Sequence, residues 1–261
     1  MLKRYYYLIH LEFLGFRYHG WQKQPQVKTI QHMLDRTLNF IFEHDQFKTL
    51  GASRTDAMVS AHHHLSELFT YHELDPSELL QKLNKYLPAD IRALEVEEVS
   101  QDFNIISSPK KKEYHYYFSY GEKAHPFSAP FIVNYQDQLD IKLMTECAQL
   151  FEGQHFFKQY CHRPNDSKNF NRYLDTCRIL PNKHFTASFF PKETYYLKVI
   201  GSGFLHHQIR LIMGTLINVG HNKMAKDEIS ESLQENYQGK PTSFIAPASG
   251  LHLIKNEFID E

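Results

Sequence analysis

The order in which hydrophobic periodicities follow one another constrains this chain most. Tyr5 to Phe13 alternates apolar and polar positions, as a half-buried strand does. Thr29 is placed to cap a helix whose apolar residues Ile30, Met33, Leu34, Leu38, Ile41 and Phe42 recur at helical spacing. Asp75-Pro76-Ser77-Glu78 combines a capping carboxylate, proline at the first helical position and glutamate three residues after the cap. That helix must end before Pro88, and Ile91 to Val99 reads as a strand. The first half therefore predicts strand, helix, loop, strand, helix, strand. In the second half, Glu113 to Tyr120 is an aromatic-rich strand and Asp140 to Phe151 a helix stopped at Gly153. Thr176 to Leu180 and Thr194 to Ile200 read as strands. Leu205 to Val219 is an amphipathic helix with Leu205, Ile209, Ile212, Met213 and Leu216 on one stripe. Lys226 to Gln234 is a short helix and Leu251 to Phe258 a final strand, while the polar stretch Arg163 to Arg172 is expected to be a mobile loop. Strands and helices alternate irregularly, without the long crossovers of a purely parallel sheet, so the fold class is α+β. The two series predict halves at 1–108 and 109–261.

A chain of 261 residues, 42% hydrophobic and 14% aromatic, is globular and buries a substantial core. Lys and Arg number 29 against 30 Asp and Glu. Nucleic-acid binders more often carry a basic excess, so an RNA surface here has to come from uneven distribution of charge. Lys110-Lys111-Lys112 is the clearest basic run, although such a triplet is ordinarily just solvated. With 17 histidines the net charge turns positive below about pH 6.5. Three cysteines without a C-x-x-C show neither a disulfide framework nor a zinc ribbon. The first residues run straight into a strand pattern with no secretory apolar region. No apolar run approaches the ~18 residues of a membrane span, so a reduced cytoplasmic location with no membrane partner is expected.

The chemistry concentrates at Arg54-Thr55-Asp56-Ala57-Met58-Val59-Ser60-Ala61-His62, preceded by the turn formers Gly51, Ala52 and Ser53. An isolated Arg-Thr-Asp is ordinarily a surface ion pair. Here it belongs to an ordered series: Tyr18-His19-Gly20-Trp21-Gln22-Lys23-Gln24 with Thr29-Ile30-Gln31, then Leu87-Pro88-Ala89-Asp90-Ile91, Tyr114-His115-Tyr116, Phe204-Leu205-His206-His207-Gln208-Ile209-Arg210 with Gly214 and Val219-Gly220, and Ala246-Pro247 with Gly250-Leu251. These landmarks resemble, in order and over roughly 240 residues, the TruA family of tRNA pseudouridine synthases.

The resemblance implies two ferredoxin-like halves with mixed or antiparallel sheets, joined around a central catalytic cleft. It implies isomerisation of uridine to pseudouridine in tRNA, with anticodon-arm uridines as targets, no cofactor, and a homodimer as the acting species. Asp56 becomes the catalytic carboxylate, acting as nucleophile or as base at the sugar. A buried carboxylate must be kept ionised by a cation, and Arg54 and Arg210 are the candidates; the family sets the equivalent of Arg210 against the aspartate. Arg54 is also suited to fill the space of a flipped base. Tyr114 corresponds to the family's active-site tyrosine, suited to pack on the base and transfer a proton; from the pattern alone it is a core aromatic. Arg210 lies at i+4 from His206 on the expected helix. Lys110, Lys111, Lys112, His206 and His207 are the candidate RNA contacts, and the sole tryptophan, Trp21, is expected in the core.

Several positions depart from the family's wording. Ser53 and Met58 replace glycines and Ser60 a histidine in the Asp56 loop. The segment Phe103-Asn104-Ile105-Ile106-Ser107 replaces F-H-A-R-F, and Lys112 replaces an arginine two positions before the tyrosine. These differences point to an active enzyme with altered RNA contacts. The alternatives are a catalytically weak or silent RNA-binding relative, a synthase acting on a different structured RNA, or a histidine-rich metal-dependent hydrolase. The last lacks H-E-x-x-H or another spaced ligand set. No functional metal is expected: His206 and His207, adjacent on a helix, would point about 100° apart, and His62-His63-His64 is at most an adventitious binder.

Overall fold

The computed structural model describes residues 3–165, 169–239 and 244–259. The chain divides into two compact units, one formed by 1–109 with 253–261 and the other by 110–252.

In the first unit, strand β1 (Tyr5–Phe13) lies between β3 (Ser60–Thr70) and β4 (Ile91–Glu98), antiparallel to both. A short strand, β2 (Phe47–Gly51), pairs with Ser66–Thr70 of β3, which also neighbours β10 (Leu251–Phe258). Tyr7, Ile9, Leu11 and Phe13 are buried at alternate positions of β1, as its pattern required. Helices α1 (Ile30–Phe42) and α2 (Pro76–Tyr86) pack on each other and on β2 and β4, burying Ile30, Leu34 and Leu38 of α1 and Leu79 and Leu83 of α2. Both begin where capping chemistry predicts: Thr29 accepts from the His32 N–H and Asp75 from the Glu78 N–H, each cap contributing about 1 kcal/mol. Leu8, Leu65 and Ile105 form a smaller core, with Leu50, Ala52, Val99, Phe103 and Phe258 packed around it.

In the second unit the order is β5 (Lys110–Tyr120), β9 (Tyr195–Gly201), β8 (Asn171–Pro181) and β7 (Gly153–Phe156), all antiparallel. The three-residue β6 (Val133–Tyr135) joins the end of β5 in parallel. Helix α3 (Ile141–Ala148) packs on β8 and on α4 (Gln208–Gly220), and α5 (Lys226–Ser232) follows. Gly153, at φ +92°, ends the α3 region as expected. Cys147, Cys161 and Cys177 are buried unpaired thiols. The α+β class holds.

Four local expectations are corrected. The short strands β2, β6 and β7 carried too few residues to show a period. Strand β5 starts at Lys110, so the lysine run is part of the sheet and not a solvated loop. Asn171 and Arg172, expected in a loop, begin β8; residues 166–168 of that polar stretch lie outside the described residues. Helix α4 starts at Gln208, not Leu205, and is buried on nearly every face rather than along one stripe; only Arg210 and Asn218 within it are half-buried.

Candidate active site

Asp56 lies in the loop between β2 and β3 of the first unit, half-buried, with Arg54 exposed and Thr55 buried between them. The loop is held by backbone. Trp21 N–H donates to the Thr55 carbonyl at 3.3 Å, Met58 N–H to the Tyr18 carbonyl at 2.9 Å and Val59 N–H to the Asp56 carbonyl at 3.3 Å. The close approach is possible because residue 20 is glycine: at φ +82°, a Cβ there would lie 2.3 Å from the Thr55 oxygen.

Two of the landmarks meet behind this loop. Asp90 accepts from the Tyr18 hydroxyl at 2.7 Å and from Arg17 Nε at 2.6 Å. Burial pushes the Asp90 carboxyl up, but the hydrogen bonds from Arg17 and Tyr18 outweigh it and hold the group below the usual carboxylate range. Trp21 is in the core, as expected, stacked on His64 with centroids 3.9 Å apart. His64 Nε2 in turn reaches the Ser53 carbonyl at 3.0 Å. Gly51 leaves room for the indole, since a Cβ there would sit 2.2 Å from Trp21 Nε1.

Ser60 is buried, and its hydroxyl accepts from the Gly15 N–H at 3.0 Å. It therefore packs against the Gly15 backbone. Asn104 caps its own turn, its Oδ1 accepting from the N–H groups of Ile106 and Ser107 at 2.9 and 3.1 Å. Ile106 is 65% exposed. That turn is anchored by Glu67, a buried carboxylate that accepts from the Ile105 N–H at 3.1 Å; burial raises its pKa despite this bond. Sequence reasoning missed Glu67. Its only signal was a carboxylate between the apolar residues Leu65 and Leu68 of a strand.

In the second unit, Lys112, Tyr114, Tyr116 and Phe118 share one face of β5. Tyr114 is buried and meets Phe204 edge to face at 5.3 Å. The lysines differ from one another. Lys110 is buried, which lowers its pKa; Lys111 is exposed and bridges Asp175 at 2.7 Å; Lys112 is half-buried, and desolvation, aided by neighbouring Lys110, lowers it to about 8.

Arg210, on α4, donates through Nε to the Ala246 carbonyl at 2.8 Å, while the Ala246 N–H returns a bond to the Arg210 carbonyl. Gly214 lets this segment lie on the helix, because a Cβ there would strike the Phe244 oxygen at 1.9 Å. Tyr116, fully buried, shares a 3.2 Å contact with the Tyr135 hydroxyl; burial raises its pKa well above the ordinary value and the charge of Arg210 opposes the rise.

His206 and His207 precede α4 instead of lying in it, and His207 is the N-cap at φ +61°. The i+4 relation of His206 to Arg210 therefore fails, and so does the helical argument that kept the two rings apart. Their centroids are 3.9 Å apart, and His162 stacks on His207 at 4.7 Å. No sequence signal linked His162 to this pair across more than forty residues.

The wider comparisons bear on the whole chain. A family model described as tRNA pseudouridine synthase matches residues 10–106 and 147–258, and the chain belongs to that family. Arg54, Asp56, His206, His207 and Arg210 fall inside the matched residues; Lys110 to Lys112 and Tyr114 fall between the two stretches. Relatives cover nearly the whole chain. The "tRNA pseudouridine synthase A 1" of Protochlamydia amoebophila is 32% identical over 252 residues, 95% of this chain and 94% of that protein. The "tRNA pseudouridine synthase A" of Mesoplasma florum is 34% identical over 260 residues, covering 97% and 98%. That of Aquifex aeolicus is 29% identical over 250 residues, covering 95% and 98%. No helix among the described residues is long and apolar enough to cross a membrane.

Proposed function

We propose that this protein is a tRNA pseudouridine synthase. The reaction breaks the bond from N1 of uracil to C1′ of the ribose, turns the base over and joins C5 to C1′. The C5 proton leaves and N1 regains one, so the conversion is an isomerisation with no redox step and no cofactor. Asp56 is the catalytic carboxylate, either attacking C1′ or removing a proton from the sugar. Arg54, exposed beside it, fills the space of the flipped base. Tyr114 packs on the uracil and carries the C5 proton. Arg210 supplies positive charge, and Lys112, His206 and His207 contact the RNA. Uridines of the anticodon arm are the targets, the acting species is a homodimer, and the location is cytoplasmic.

The observation that carries this reading is the Asp56 loop. Backbone hydrogen bonds and a glycine contact pin it, so the carboxylate is pre-positioned while Arg54 stays accessible. Near-full-length similarity to proteins bearing the synthase name supports the substrate. The test is bulk tRNA from cells lacking the protein, incubated with purified enzyme and mapped chemically for pseudouridine. Asp56→Asn is nearly isosteric and should abolish turnover while RNA binding and melting temperature stay unchanged. Comparable turnover by that variant would remove Asp56 from the chemistry. Turnover should also persist in EDTA once RNA folding is controlled. Loss of activity restored by one divalent ion would argue for a metal-dependent reaction instead.

A further inference from the structure

A second group of titratable side chains sits on the sheet of the first unit, on β1, on β4 and on the first residues of β3, just after the Asp56 loop. The β1–β3 register passes from Leu11↔His64 to Phe13↔Ala61, so Glu12 alone faces two residues, His62 and His63. A bulge of this kind re-aims side chains. Here His62 lies 3.8 Å from Glu12, and His63 Nε2 lies 2.8 Å from Nδ1 of His10, two residues along β1 and on the same face as Glu12. On the other side of β1, His10 pairs with Glu95 of β4, and its Nε2 lies 3.0 Å from Oε1 of Glu97. Glu95 and Glu257 are close enough to act on the charge of His63, and Lys255 is the cation among them.

Independently of the proposed catalysis, we propose that His10 and His63 form the core of a binding site for a divalent transition-metal ion of the zinc class, completed by the Glu95 carboxylate. Glu97 accepts the His10 Nε2–H and so fixes the tautomer, leaving the Nδ1 lone pair aimed at His63. A carboxylate on the far nitrogen of a ligating histidine is the usual outer support of such a metal site. Without metal, the contact is a hydrogen bond from His63 Nε2–H to that lone pair. Metal binding needs the His63 proton on Nδ1, a tautomer change with no net gain or loss of protons. A tetrahedral ion with Zn–N near 2.0–2.1 Å holds its nitrogens about 3.3 Å apart, so the pair has to open by only about half an ångström. Glu95 is exposed and free to swing toward the ion. The bound ion would tie β1, β3 and β4 together.

The full-length protein, stripped of metal, should be titrated with Zn²⁺ by calorimetry and with Co²⁺ by visible absorption. One equivalent should bind, with the absorption of a tetrahedral cobalt centre and a rise in melting temperature. His10→Asn and His63→Asn should each abolish that equivalent, and Glu97→Gln, at an exposed position that leaves the fold intact, should weaken it about 10- to 100-fold. His62→Asn and His162→Asn, the latter in the separate imidazole group of the second unit, should leave it unchanged. Pseudouridine formation should not change in His63→Asn. Absence of saturable binding, binding undiminished in His10→Asn, His63→Asn and Glu97→Gln, or loss only in His162→Asn would overturn the assignment.

Discussion

Gly20 and Met58 both hold left-handed backbone, at φ +82° and +69°, Gly20 packed against the Asp56 loop and Met58 within it. Gly20 has no space for a side chain against the Thr55 carbonyl. Gly20→Ala adds about 1–2 kcal/mol for the backbone conformation and about 1–3 kcal/mol of overpacking. The protein should therefore lose about 2–5 kcal/mol of stability, and turnover should fall as the Arg54–Asp56 backbone is displaced. Met58 already carries the strain, at the position where the family's wording has glycine. Met58→Gly relieves about 1–2 kcal/mol of it and adds about 0.5–1 kcal/mol of unfolded-chain entropy, so stability should hold or rise slightly. Denaturant titrations of the two variants check this contrast. A Gly20→Ala protein as stable as the parent would mean that the close approach does not exist.

At the scale of an element, the start of β5 is a run of three lysines turned into a graded series. Lys111 is engaged with Asp175, Lys110 is buried, and Lys112 is the lysine whose charge is set by its surroundings near working pH. Its folded pKa, about 8, lies below the ordinary lysine value. The fold therefore disfavours the protonated form. The destabilisation is full below about 8 and fades as pH rises toward the ordinary value, while the charge available to RNA phosphate is present below about 8 and lost above it. RNA affinity should fall as pH rises through 8, and Lys112→Arg, which stays charged, should flatten the curve. Binding measured at several pH values and constant salt decides this, and identical profiles for the two proteins would discard Lys112 as an RNA contact. The same split explains why replacing all three lysines together would confuse fold and binding.

At the scale of the whole molecule, the family landmarks remain while residues suited to touch RNA differ. Ile106, largely exposed, offers no charge-assisted hydrogen bond where the family's wording has arginine, a bond worth about 1.5–3 kcal/mol. Asn104 is committed to its own turn. The protein should modify a narrower or displaced set of uridines, checked by mapping pseudouridine in RNA from cells with and without it. Loss of the ordinary anticodon-arm sites at ordinary efficiency would make these departures neutral. Much of the molecule was legible in one dimension. Strand β1, the starts of α1 and α2, and the end strand β10 are encoded by alternation and capping among near neighbours, and the ordered landmarks carried the family. Other features needed the folded chain. Short strands such as β6 and β7 form because a partner strand supplies their hydrogen bonds, not because of any period of their own. Helix α4 is buried on nearly all sides because α3 and the Phe244–Ala246 segment cover faces that a lone helix would expose. The lysine run lost its solvated character by joining a sheet, which changed the charge it can carry. Glu67, the His10–His63 pair and the stacking of His162 on His207 each depend on residues tens of positions apart being brought within a few ångströms. Desolvation and hydrogen bonding at that range follow from packing, which local pattern does not contain.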